Sequence, residues 1–294
     1  VRIMVAGWPS FVDGEATAGD LLAMARVADA VRGPGRRVEQ LLSPVLDPSA
    51  ESATTADPAG CTHLVFACGP ARGAQVARLH ERFAGARRIA VGVSVPDPLD
   101  PAVTGFHRVL ARDGTEDAAP DLCWSAPDPA PVPVVGVVLA PGQPEYGDRR
   151  RHDQVHAVLA EWLRDLDAAR LELDTRVDPR DWRHPATPGQ FRAVLSRLDA
   201  VVTTRLHGAV LALAAGVPAL AVDPVAGGAK VTAQGRALGW PVLAGEDVAG
   251  PHGRAVLDRA WEWCRGAAGR ARDLAAARDG DRLLAELRAE VGLT

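Results

Sequence analysis

From Ser125 to Pro133 the chain reads SAPDPAPVP, and this window constrains the fold more than any other. Proline fixes its own φ and has no N–H to donate, so four prolines in nine residues rule out both a helix and a central strand. On either side of the window, strand-like runs alternate with helix-like runs, the pattern of a parallel α/β sheet. The expectation is two α/β halves, residues 1–125 and 134–250, joined by a hinge. The Ala/Arg/Leu-rich segment 251–294 reads as helices that pack back across that hinge.

In the first half the strands are read at Val1–Gly7, Val38–Leu42, His63–Cys68, Ile89–Val95 and Val109–Ala111. Leu21, Met24, Ala25 and Ala28 fall at i, i+3, i+4 and i+7, the apolar stripe of a helix, with Asp20 as its expected N-cap. In the second half strands are read at Val134–Leu139, Leu171–Val177, Ala200–Thr204 and Ala219–Val222. Helices are read at His152–Leu166, Gln190–Leu198, Gly208–Ala215 and Lys230–Leu238. Leu257, Ala260, Trp261 and Cys264 repeat the helical spacing near the end. In such sheets ligands sit beyond the carboxyl ends of the strands, so functional residues are sought just after strands.

Composition removes several classes. Hydrophobic residues at 47% and charged residues at 24% suit a globular domain with a sizeable core. A net charge of −4 leaves no overall basic footprint for nucleic acid, and Arg149-Arg150-Arg151 reads as a solvated face. No apolar stretch reaches membrane-helix length, and the opening VRIMVAG reads as a strand rather than a signal peptide. Cys61, Cys68, Cys123 and Cys264 form no C-x-x-C pair and read as free thiols of a reducing, cytoplasmic compartment. The histidines show no metal-ligand grouping, and His152 and His156, one helical turn apart, read as a solvated face. No metal or organic cofactor is expected. Oligomeric state is left open, a homo-oligomer included.

The chemistry concentrates between Asp199 and Gly239. An apolar, β-branched strand ends in Arg205-Leu206-His207-Gly208, and a small-residue helix follows at once. The free amides and dipole of a helix N-terminus favour an anion. Arg205 offers a bidentate fork for carboxylate or phosphate, His207 an imidazole able to give or take a proton near neutral pH, and Gly208 a close approach to backbone. The structural alternatives are an ion pair for Arg205 and a helix cap for His207. Lys230 is the only lysine among 33 basic residues, which suggests a place for a compact ammonium. Arg176, at the end of a strand, is a further anion ligand or a surface ion pair. Asp13 and Glu15 in the first loop, with Asp20, are acceptor-side candidates, and Asp223 orients His207 or Lys230, or forms a turn with Pro224. Gly227-Gly228 lacks Walker spacing.

The run VVTTRLHGAVLALAAGVPALAVD, followed by Lys230 and by Leu238-Gly239, resembles the C-terminal signature of the polysaccharide pyruvyl transferase family over roughly residues 198–243. The first half retains fewer family landmarks: Gly7, Gly19-Asp20 and Gly69. The resemblance implies an α/β fold of two Rossmann-like domains, GT-B-like, with the site in the interdomain cleft. It implies an enzyme that moves the enolpyruvyl-derived unit of phosphoenolpyruvate onto a sugar or glycan hydroxyl pair. Arg205, His207, Gly208, Lys230 and Arg176 would hold the donor, and His207 with Arg205 would act in catalysis. A nucleotide-sugar glycosyltransferase and a non-catalytic binding protein on the same fold are the alternatives.

Overall fold

The computed structural model describes residues 1–12, 16–116, 118–277 and 281–292. The chain divides into two units, Val1–Pro129 and Ala130–Thr294, and the division falls inside the proline-rich window.

The first unit runs β1 (Arg2–Ala6), α1 (Ala18–Val31), β2 (Arg37–Gln40), β3 (His63–Ala67), α2 (Gly73–Arg82), β4 (Arg87–Ser94), α3 (Pro101–Thr104) and β5 (Arg108–Asp113). Its strands lie in the order β2-β1-β3-β4-β5, all parallel. Side chains alternate across a strand, and the core obeys that period. Ile3, Val5, Val65 and Ala67 face α1 on one side. Met4, Ala6, Leu64 and Phe66 face Val76 and Leu79 of α2 on the other.

The second unit runs β6 (Val134–Val138), α4 (His152–Asp165), β7 (Ala169–Glu172), α5 (Pro188–Leu195), β8 (Ala200–Thr203), α6 (Leu206–Ala214), β9 (Ala219–Asp223), α7 (Lys230–Leu238), β10 (Val242–Ala244), α8 (Gly245–Ala249), α9 (Gly253–Gly266), α10 (Ala268–Ala276) and α11 (Asp281–Glu290). Its parallel sheet has the order β7-β6-β8-β9-β10, the same topology as the first. Val201, Ala219 and Ala221 pack with α5, α6, α7 and α10, while Val202, Leu220 and Val222 pack with α4, α8 and α9. Both units are therefore doubly wound, Rossmann-like α/β layers, as the alternation predicts. The face Leu257, Trp261 and Cys264 of α9 is buried in the second unit's own core.

Some expected boundaries need correction. Thr17, not Asp20, is the N-cap of α1; the helix starts earlier because Thr17 and Asp20 cap each other reciprocally. β7 ends at Glu172 rather than Val177, because it is an edge strand paired only with β6 from Val134 to Val137. α6 starts at Leu206 rather than Gly208, which makes Arg205 its N-cap and puts His207 in its first turn.

Candidate functional site

In the second unit β6 leads into α4 on one face of the sheet, and β8 leads into α6 on the other. The carboxyl ends of β6 and β8 are thus a topological switch point, the place where sheets of this order generally form a ligand crevice between outgoing loops. The Arg-Leu-His-Gly segment stands there because β8 ends at Thr203.

Thr203 and Thr204 fix this corner. Buried Thr203 donates its hydroxyl to the Val138 carbonyl at 2.7 Å and accepts the Arg205 amide at 2.9 Å. Buried Thr204 accepts the Ala140 amide at 2.9 Å. Both ties run from β8 to β6, so the two strand ends are held together. Arg205 has extended backbone and its side chain does not cap α6, so the first-turn amides lack a side-chain acceptor. Its guanidinium pairs with Asp174, just beyond β7. His207 is exposed on the first turn of α6. Gly208 has a packing reason of its own: a Cβ there would stand 2.3 Å from Thr203 Oγ1. Glycine lets α6 pack onto the strand end.

Lys230 opens α7, whose C-cap Gly239 is left-handed, φ 61°. The Lys230 ammonium lies 5.9 Å from the centre of the Tyr146 ring, and the Arg149 guanidinium lies 5.7 Å from the same ring. Cation–π attraction of this kind holds a charge near the surface without neutralising it. Asp223 orients neither His207 nor Lys230. Its buried carboxylate accepts the amides of Ala229 (2.7 Å) and Thr232 (2.8 Å) and the Thr232 hydroxyl (2.8 Å), and so caps α7.

The β6–α4 loop adds residues that sequence reasoning missed. Residues 149–151 are not simply a solvated face. Their backbone pairs with the loop after β9, through Arg151 N to Pro224 O and Ala226 N to Arg149 O, both at 2.8 Å. Arg150 is half-buried, with its Nε enclosed and unpartnered. His152 is 1% exposed, so the solvated reading fails for it, and both of its ring nitrogens are enclosed without a partner. His156 reaches Thr204 Oγ1 at 3.0 Å. Burial pushes both imidazoles below the ordinary histidine value, with Arg150 adding to the effect on His152 and His152 to that on His156. The signal that would have found these residues was position: they follow the first strand of the second half.

Arg176 bonds Asp178 at 2.5 Å, and Arg180 bonds the same carboxylate at 2.9 Å. These two guanidiniums hold the buried Asp178 well below the usual carboxylate range. Arg176 is therefore engaged in closing the loop after β7. Beside Asp174 a groove of 1090 Å³ follows β7 and is lined by Leu173, His184, Gln190 and the exposed Trp182, among others. In the first unit, Asp13 and Glu15 lie outside the described residues. Asp20 accepts the Thr17 hydroxyl at 2.7 Å as part of the α1 cap. Trp8 donates to the Pro70 carbonyl at 3.1 Å and lies over Gly69, where a Cβ would meet the indole at 2.2 Å. Cys68 is buried with a left-handed φ of 59°, and burial pushes its thiol up.

The segment that forms this switch point is also the one that a family model matches. Residues 119–224 match the polysaccharide pyruvyl transferase family model. The match takes in the whole segment from the hinge through Arg205-Leu206-His207-Gly208 to the end of β9, and with it the transferase class. No curated protein matches the chain. Among solved structures it is similar to CalG4, the calicheamicin glycosyltransferase, at 18% identity over 99% of this chain and 98% of that one, with a TM-score of 0.34. It is also similar to the Escherichia coli heptosyltransferase WaaC with ADP-2-deoxy-2-fluoro heptose (12% identity, 90% of this chain and 99% of that one, TM-score 0.27). A third is the UDP-GlcNAc 2-epimerase from Methanocaldococcus jannaschii (10% identity, 90% and 92%, TM-score 0.31). Among the described residues no helix is long and apolar enough to cross a membrane.

Proposed function

We propose that this chain is a ketal pyruvyl transferase that uses phosphoenolpyruvate as donor and a carbohydrate diol as acceptor. The observation that carries the reading is the switch point of the second unit, where Arg205 and His207 stand at the uncapped start of α6 inside the family-matched segment. Phosphoenolpyruvate brings a carboxylate and a phosphate, and the α6 amides, Arg205 and Lys230 supply the positive field such a donor needs. His207 is the general acid. It gives a proton to the methylene carbon of the enol, and an oxocarbenium-like centre forms at the carbon bearing the phosphate oxygen. One acceptor hydroxyl adds there, phosphate leaves with its bonding pair, and the second hydroxyl closes the ketal. The first hydroxyl proton returns to His207, and the second passes to the released phosphate or solvent. Asp174 holds Arg205 in place until the donor anion shares the guanidinium.

The test is phosphate release from phosphoenolpyruvate in the presence of glycan diols, together with a thermal-shift comparison of phosphoenolpyruvate and UDP-sugars. The donor should stabilise the fold by roughly 2.7 kcal/mol at a hundredfold excess over its Kd. Arg205→Asn removes the guanidinium and gives α6 a capping side chain. The lost pair with Asp174 is part-exposed and worth only about 0–1 kcal/mol. The apo Tm should therefore stay within a few degrees while most of the donor shift disappears. Stabilisation by UDP-sugars alone would replace this reading with a glycosyltransferase.

A further inference from the structure

The second unit leaves two long helices at one switch point without a side-chain cap: α6, which bears Arg205 and His207, and α4, of 14 residues, on the opposite face of the sheet. α7 beside them is capped by Asp223. An uncapped N-terminus alone is unremarkable, because water serves it. At α4 there is a second observation. His152, the first residue of the helix, is 1% exposed and has a hydrogen-bond partner on neither ring nitrogen. Two residues earlier, Arg150 has its Nε enclosed and unpartnered. Its guanidinium lies against the loop after β6, where a Cβ on Gly142 would stand 2.5 Å from Arg150 Nη2. One turn further on, His156 is anchored to Thr204 at the end of β8. The ring of His152 is 6.0 Å from that of His156. Arg150, His152 and the α4 amides are therefore grouped at the start of α4, between the loop after β6 and the end of β8. The carboxylates that act electrostatically on His152 are Asp153, Asp223 and Glu145, and Asp223 is already engaged by α7.

Buried polar groups without partners destabilise a fold, and such groups persist where a ligand needs them. We infer that Arg150, His152 and the first-turn amides of α4 form a second anion subsite, opposite the subsite of Arg205, His207 and α6. The crevice then takes a small molecule with two separate anionic groups, one on each helix end. Phosphoenolpyruvate has that character, and naming it rests on the function proposed above.

The experiment is calorimetric titration of the full chain with phosphoenolpyruvate and with inorganic pyrophosphate, for wild type, Arg150→Gln and His152→Leu, with apo melting temperatures in parallel. Each variant should bind phosphoenolpyruvate about 10- to 100-fold more weakly, the loss of one charge-assisted hydrogen bond. His152→Leu should also melt at or above the wild-type temperature, because a satisfied apolar side chain replaces two orphaned nitrogens. A core histidine with only a structural role would do the reverse. Wild-type affinity in both variants overturns the subsite and leaves the donor reading standing. A wild type that binds pyrophosphate but not phosphoenolpyruvate, with pyrophosphate binding lost in both variants, keeps the subsite and overturns the donor reading. A wild type that binds neither anion overturns both.

Discussion

The two units share one strand order and differ in how they treat their helix ends. In the first unit the helix leaving β1 is closed by its own sequence: Thr17 accepts the Asp20 amide at 3.2 Å, and the Asp20 carboxylate accepts the Thr17 amide at 3.2 Å. That carboxylate is committed to the cap, whereas the first-turn carboxylate of α4, Asp153, caps nothing there. Across the same switch point Trp8 covers Gly69. In the second unit the corresponding helix, α4, and its partner α6 have no side-chain cap, and the residues around them include Arg150, His152 and Asp153 at α4 and Arg205, His207 and Asp174 at α6. The scaffold gives both units a crevice at the same place. The helix after the third strand of each sheet order, α2 in one unit and α6 in the other, lacks a side-chain cap in both, so the units differ at the helix that leaves the first strand: α1 is capped by Thr17 and Asp20, and α4 has no side-chain cap.

Three variants test this contrast. The largest effect is expected from His207→Asn, which keeps size and some hydrogen bonding but removes the titratable proton. Turnover should fall by roughly 10²–10⁴-fold with donor affinity retained, as measured by single-turnover phosphate release beside a donor titration. Equal losses in both would reduce His207 to an anion ligand. Next, Lys230→Arg should weaken donor binding by about tenfold, or about 1.4 kcal/mol, with little change in Tm. The ammonium beside Tyr146 is a compact charge, whereas a longer planar guanidinium would crowd a three-carbon donor. Wild-type affinity in that variant would make the lone lysine an accident of composition. The smallest effect sharpens the comparison from the other side. Thr17→Ala removes the α1 cap and should cost about 1 kcal/mol of stability in a denaturant melt while leaving donor affinity unchanged. A donor effect from Thr17→Ala would break the division of labour between the units.

Much of the fold was legible because strand and helix periods are local. The apolar β-branched run of β8 and the small-residue run of α6 announce themselves over a few residues, and Gly239 marks the end of α7. Helix starts were less legible. Asp20 looked like a cap on residue type, yet the Thr17–Asp20 reciprocal pair moves the start back. His152 and His156 looked solvated because their helix is amphipathic and the spacing does not say which face is covered. Arg150 looked solvated because three successive arginines usually are. The sequence leaves Arg176 two readings because its partner, Asp178, is shared with Arg180 in a loop whose path local patterns do not specify.

By itself the sequence determined the alternation, the proline-rich break, and the Arg-Leu-His-Gly corner as a strand end meeting a helix start. Each depends on residues close along the chain. The tertiary structure alone decided that α4 and α6 leave the sheet on opposite faces of one switch point, that Lys230 stands by Tyr146, and that Asp223 serves α7. It also decided that His152 is enclosed with its nitrogens unpaired. These facts depend on strand order, which brings β6 beside β8 although more than sixty residues separate their paired positions, as in Val135 with Ala200. Periodicity reports which face of an element is apolar; only the order of strands in the sheet reports what that face and its ends will meet.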